Sequence, residues 1–175
     1  LVCPAGNLPS LKAAVDNGAN AVYTGFRDDT NARHFAGLNF TPQKLTEGIR
    51  YARRKGVRVF IALNTYPQPG GFGRWQQAVD RAADLGVDAL IAADIGVLDY
   101  ASQQHPELNL HLSVQGSATN YEALRFYHRH FGVRRAVLPR VLSMSQIRHV
   151  IEHSPVEVEV FGFGSLCVLV EGRCI

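Results

Sequence analysis

Cysteine is scarce in this chain. Three thiols among 175 residues make an odd number, which argues against a disulfide framework and agrees with a reducing compartment. Long apolar runs are missing as well, since no stretch approaches the length of a membrane-spanning helix. Leu1 and Val2 open directly on strand-like sequence, with no charged segment ahead of a hydrophobic one. A cytoplasmic location with no transmembrane segment is the expectation. Neither sign of charge dominates either: 18 Lys and Arg against 15 Asp and Glu leave a net charge of +3. That excess is too small and too dispersed for a nucleic-acid surface, so no nucleic-acid partner is expected.

Several catalytic signatures are absent too. No His-Glu-x-x-His occurs, which removes the common zinc-protease route. His149 and His153 have the i, i+4 spacing of a metal pair, but they project opposite Ile147, Val150 and Ile151 and read as a solvated helix face. Gly162-x-Gly164 fails the dinucleotide pattern, because Cys167 stands in the third glycine's place. The run from Tyr66 to Gly73 is glycine-rich without the Lys-Ser/Thr of a phosphate loop, and reads as a stiff turn or lid.

What is present is repetition. Hydrophobic residues make up 46% of the chain, enough for an ordinary core. Strand patterns fall near 1 to 5, 20 to 25, 57 to 64, 88 to 93, 108 to 114, 133 to 138 and 156 to 161. Amphipathic stretches separate them, with Leu45, Ile49 and Ala52 on one and Trp75, Ala78, Ala82 and Leu85 on the next. The helix starts are marked by Asn7, by Thr41-Pro42, and by Thr119-x-x-Glu122 and Ser143-x-x-Gln146, both with the form of capping boxes. A glycine ends most helices, at Gly18, Gly56, Gly86 and Gly132.

Seven strands alternating with helices fit either an open doubly wound sheet or most of a β/α barrel. Polar rows favour the barrel. If Leu110 and Leu112 face the helices, then Asn109, His111, Ser113 and Gln115 turn inward, and Glu157, Glu159 and Phe161 repeat the pattern on the seventh strand. A parallel sheet covered on both faces would be apolar on both. The expected architecture is an incomplete TIM-like (β/α) barrel over residues 1–175. With about 250 residues in a typical barrel, the chain is expected to break off in the loop after the seventh strand.

Barrel chemistry sits at the C-terminal ends of the strands. That rule selects Cys3, Gly6, Tyr23, Asn64, Asp94, His111, Ser113, Gln115, Arg140 and Glu159, plus the loop that follows. Glu159 is the first candidate for acid and base work, since burial raises a carboxyl pKa. Its alternative is a structural pair with Arg140 or Arg135. Asp94, His111 and Ser113 could form a hydrolytic triad, but no Gly-x-Ser-x-Gly elbow surrounds Ser113. The segment from Phe26 to Phe40 is long for a β/α connection, and suits either a ligand or partner loop or a self-contained salt-bridged one.

The chain ends in Ser165-Leu166-Cys167, with Cys174 after six intervening residues. Two thiolates in a glycine-punctuated loop could serve one soft metal centre, and reduced free thiols are the plainer reading. Two ligands do not complete such a site. The others would lie beyond Ile175, on Cys3 or on a partner.

The run Glu159-x-Phe161-x-x-Gly164-Ser165-Leu166-Cys167-x4-Gly172-x-Cys174 resembles the signature of the collagenase-like peptidase family, which includes the UbiU and UbiV proteins of oxygen-independent ubiquinone synthesis. Pro4-Ala5-Gly6, Leu63-Asn64-Thr65, Gly86-Val87-Asp88 and Ser113-Val114-Gln115 carry the resemblance along the chain. Within the family the UbiU branch is the nearest in pattern, on Asn31 to Phe40, Tyr66 to Gly70 and Phe161 to Ser165. Phe163 and Val141 stand where many relatives carry histidine and glutamate, which weakens a peptidase reading. The resemblance implies a four-iron, four-sulfur cluster with Cys167 and Cys174 as its first two ligands and two further cysteines past residue 175. It implies hydroxylation of an aromatic ubiquinone precursor, in a heterodimer with a UbiV-like protein. It also marks Tyr23, Asn64, Gln115 and Glu159, so Glu159, His111, Asn64 and Gln115 are the expected catalytic set. Peptidase activity and a noncatalytic partner-binding module are the rival functions.

Overall fold

The computed structural model describes residues 1–164. Seven strands alternate with six helices, in the order β1 Val2–Pro4, α1 Leu8–Asp16, β2 Ala21–Thr24, α2 Pro42–Arg54, β3 Arg58–Leu63, α3 Phe72–Asp84, β4 Ala89–Ala92, α4 Ile95–Gln104, β5 Leu110–Leu112, α5 Tyr121–Phe131, β6 Arg135–Val137, α6 Met144–His153 and β7 Glu157–Glu159. The strands form one sheet in sequence order, with the recorded pairs parallel. Each neighbour in sequence being a neighbour in space is the connectivity of a (β/α) barrel, not of a doubly wound sheet, whose order reverses. Two compact units divide the chain, Leu1–Ile91 and the segment from Ala92 on.

In the first unit, local chemistry sets the helix ends. Asn7 caps α1 by accepting from the Ser10 N–H at 2.8 Å, and Thr41 caps α2 ahead of a proline that needs no amide partner. Leu11 and Val15, four residues apart, are the buried stripe of α1, and Leu45, Ile49 and Ala52 that of α2. The two helices meet closely at Gly48, where a Cβ would stand 2.9 Å from Leu11 Cδ1. On one face of β1 to β4, Val2 and Tyr23 pack against Ala21, Phe60, Ala62, Ala89 and Ile91. Cys3 falls on the opposite face of β1 from Val2, half-buried and unbonded to sulfur.

The β2 to α2 connection is tied to α3, which replaces the self-contained loop as an account of it. Arg74 pairs with Asp29, Arg81 lies 3.8 Å from Asp28, and the Arg81 guanidinium stacks 4.5 Å from the Phe26 ring. Thr65 Oγ1 donates to the Asp29 carbonyl at 2.6 Å and accepts from Trp75 Nε1 at 3.3 Å. Gly25 is required beneath this loop. A Cβ there would sit 2.0 Å from Asn31 Nδ2, and Asn31 is buried.

In the second unit two expectations change. The strand expected near 108 to 114 is only Leu110–Leu112, because the Ser113 hydroxyl accepts from the Gln115 N–H at 3.3 Å and turns the chain into a 3-10 helix, Val114–Gly116. Gln115 therefore sits in a turn and not on a strand. The N-cap of α5 is Asn120 and not Thr119: its side chain accepts from the Ala123 N–H at 2.9 Å. Ser143 and Gln146 form the full capping box, each side chain accepting from the other's backbone N–H. Among the described residues, no helix is long and apolar enough to cross a membrane.

Candidate functional site

Register assembles a charged row in the second unit. His111 pairs with Arg135, and Arg135 with Glu157, across β5, β6 and β7, so the three side chains share one face of the sheet. Val137 pairs with Glu159 one step further along. Arg135 Nε and Nη2 donate to Glu157 Oε2 at 2.9 and 2.5 Å, while Nη1 lies 3.5 Å from Glu159 Oε2. The guanidinium is thus the hub of two carboxylates.

The two pairs differ in weight. The Glu157 side chain is 70% exposed, so its pair is worth at most about 1 kcal/mol. Glu159 is only 25% exposed and Arg135 14%. Burial pushes the Glu159 carboxyl above the usual carboxylate range, and the Arg135 charge and hydrogen bond pull it back without cancelling the rise. Of the two partners open to Glu159 from sequence, the structure selects Arg135.

Arg140 is placed otherwise. Its guanidinium carbon lies over the Phe161 ring, 3.4 Å from the ring centre. Both line a cleft of about 280 Å³ at the C-terminal ends of β6 and β7, walled by Leu138, Leu142, Ile147 and Phe163. It joins one cation to apolar walls, a lining suited to an apolar ligand bearing negative charge.

The other expected residues lie on or beside the strands. His111 is 7% exposed and Ser113 3% exposed, both buried on or beside β5. Asp94 caps α4 by accepting from the Val97 N–H at 3.0 Å, and Ser113 is engaged by Gln115. With that acid and hydroxyl so committed, a hydrolytic triad has no support. Asn64, in the first unit, accepts from the Ala32 N–H at 3.0 Å and anchors the β2 to α2 connection. Cys167 and Cys174 lie outside the described residues, so the cysteine site rests on its donor chemistry. Two thiolates are half the set that an iron-sulfur cubane takes.

What sequence reasoning did not single out is the central position of Arg135 and the stacking of Arg140 on Phe161. The first follows from the register of β6 and β7, and the second joins the segments that leave those two strands, so neither is visible along the chain.

A parallel β/α protein with a charged row and a cleft at the strand ends is the class defined so far. The chain belongs to peptidase family U32, which it matches over residues 6–175. It is 36% identical over 177 residues to the tRNA hydroxylation protein P of Helicobacter pylori, covering 100% of this chain and 41% of that protein. It is 34% identical over 185 residues to the collagenase of Porphyromonas gingivalis, covering 99% of this chain and 44% of that protein. The chain thus spans about two fifths of the curated relatives it matches. Its fold is similar to that of the U32 peptidase Mk0906, with a TM-score of 0.74 at 14% identity over 91% of this chain and 66% of that one.

Proposed function

We propose that this chain is the barrel part of an oxygen-independent hydroxylase of the UbiU type, acting on an aromatic ubiquinone precursor beside a UbiV-like partner. The observation that carries the reading is the likeness, over all of this chain and 41% of the other, to a protein named for hydroxylation, joined to the Gly-Ser-Leu-Cys-x4-Gly-x-Cys run of residues 164–174. Cys167 and Cys174 would hold one side of a four-iron, four-sulfur cluster, with two more cysteines from the rest of the protein. Such a cluster supplies single-electron transfer at a potential set by burial and hydrogen bonding. Glu159 holds a proton more tightly than a free carboxylate and is suited to deliver or accept one. The cleft beside Arg140 offers apolar walls and a fixed cation to an acidic aromatic molecule.

A second substrate is favoured by the name of that same relative, namely a base of tRNA. The small net charge of +3 supports the small molecule over the polynucleotide. The peptidase reading has the name of the Porphyromonas gingivalis relative behind it, but the sequence carries neither Gly-x-Ser-x-Gly nor His-Glu-x-x-His.

The test is iron and acid-labile sulfide on the natural protein purified without oxygen, beside a Cys167→Ala, Cys174→Ala variant. Equal iron and sulfide in the parent, lost in the variant, is the expected result. A parent with neither after anaerobic reconstitution overturns the cluster. Strains lacking the gene, grown without oxygen, then separate the substrates: a quinone precursor lacking a hydroxyl accumulates under the first reading, and an under-modified tRNA under the second.

A further inference from the structure

The outer face of α6 brings together three metal-ligating side chains that the proposed reaction does not use. His149, Glu152 and His153 stand at i, i+3 and i+4, which stacks them on one helical face. One donor atom from each lies within 4.8 Å of the other two. All three are solvent-exposed, so entry of an ion from water is unobstructed. Sequence spacing showed only the histidine pair and gave no reason to include the glutamate, which lies next to His153 and not next to His149.

Two independent contacts orient the imidazoles. His153 Nδ1 lies 2.9 Å from the His149 carbonyl oxygen. A carbonyl only accepts, so Nδ1 carries the proton and Nε2 presents its lone pair outward. A histidine bonded through its other ring nitrogen to a backbone carbonyl is the usual state of a metal ligand. Tyr121, the first residue of α5, packs against both rings, 5.7 Å from His149 at 68° and 5.2 Å from His153 at 31°. The two imidazoles are themselves 4.4 Å apart. On α5, Arg125 is turned to Glu122 at 2.5 Å and to the Tyr121 ring, and on α6 itself the exposed Arg148 adjoins His149.

We propose that His149, Glu152 and His153 form a site for a divalent transition metal on the outer face of α6. Two imidazoles and one carboxylate suit zinc, copper or nickel in preference to magnesium or calcium, which select all-oxygen sets. Three protein ligands leave at least one coordination position for water or an external ligand. Closing the donors onto an ion with bonds of about 2.0 to 2.2 Å takes side-chain rotation on an open helix face, and no backbone movement. None of the three ligands lines the cleft beside Arg140.

The test is a zinc titration of the purified chain followed through its histidine and tyrosine side-chain resonances, which separates this site from the thiols. His149 and His153 are expected to shift together along one saturable curve, with the Tyr121 ring following. His34, His105, His128 and His130 stay where they are. Glu152→Ala and His149→Ala should each move the midpoint up by more than about tenfold, with the backbone amide spectrum of the metal-free protein unchanged. If His149 and His153 respond no differently from the other exposed histidines, or if both variants keep the parent's midpoint, the site does not exist.

Discussion

Glu159 illustrates how one side chain carries opposing forces. Desolvation disfavours its charge, Arg135 favours it, and burial prevails, so the native carboxyl titrates above the free value of 4.5. The native state therefore binds this proton more tightly than the unfolded chain. Stability falls as pH rises from the unfolded value through the native one, and is level above it. Glu159→Gln lacks that proton. Wild type should lose stability relative to Glu159→Gln as pH rises above the free carboxylate value of 4.5, measured by urea unfolding at each pH; a gap that moves the other way refutes the assignment. Asn64 is the second case. If it anchors the loop through its acceptor oxygen, Asn64→Asp keeps the Ala32 amide slow to exchange with deuterium. Asn64→Ala should lose that protection and about 1 kcal/mol of stability. Equal loss of activity in both with intact protection would favour a catalytic role for Asn64 over the anchoring one.

Helix starts are decided within four residues, and three of the six were readable in advance. Asn7, Thr41 and the Ser143 and Gln146 box act as their sequence patterns indicated. The sequence patterns did not mark Gly71 and Asp94 as the caps of α3 and α4, and at α5 Thr119 and Asn120 are adjacent and both are good caps. Asn120 takes the part because its backbone is extended, with φ at -147°, and its side chain reaches the Ala123 N–H. Asn120→Ala should cost about 1 kcal/mol in urea unfolding, and Thr119→Ala less than about 0.5 kcal/mol. The reverse order would return the cap to Thr119. Ser113 shows the same competition on the strand side. Its hydroxyl bonds the Gln115 amide and ends β5 early, an effect that alternation of Leu110, Leu112 and Val114 could not reveal.

For the molecule as a whole, the count and kind of the elements were legible because periodicities of 2 and 3.6 are written along the chain. The choice of a barrel was argued from polar rows, and the charged row of His111, Arg135, Glu157 and Glu159 is where those rows lie. On β1 to β4 the corresponding face is instead apolar, with Phe60, Ala62 and Ile91, so half of the strands gave no such signal. The sequence alone determined seven strands and six helices, the caps of α1, α2 and α6, the modest charge and the spacing of Cys167 and Cys174. Tertiary structure decided that Arg135 holds Glu159 while Arg140 stacks on Phe161, that Asn64 serves a loop, and that Tyr121 meets His149 and His153. The reason is range. Caps and helix faces depend on residues within one turn, whereas these contacts join residues 21 to 32 positions apart, which only the register of strands and the packing of helices can bring together.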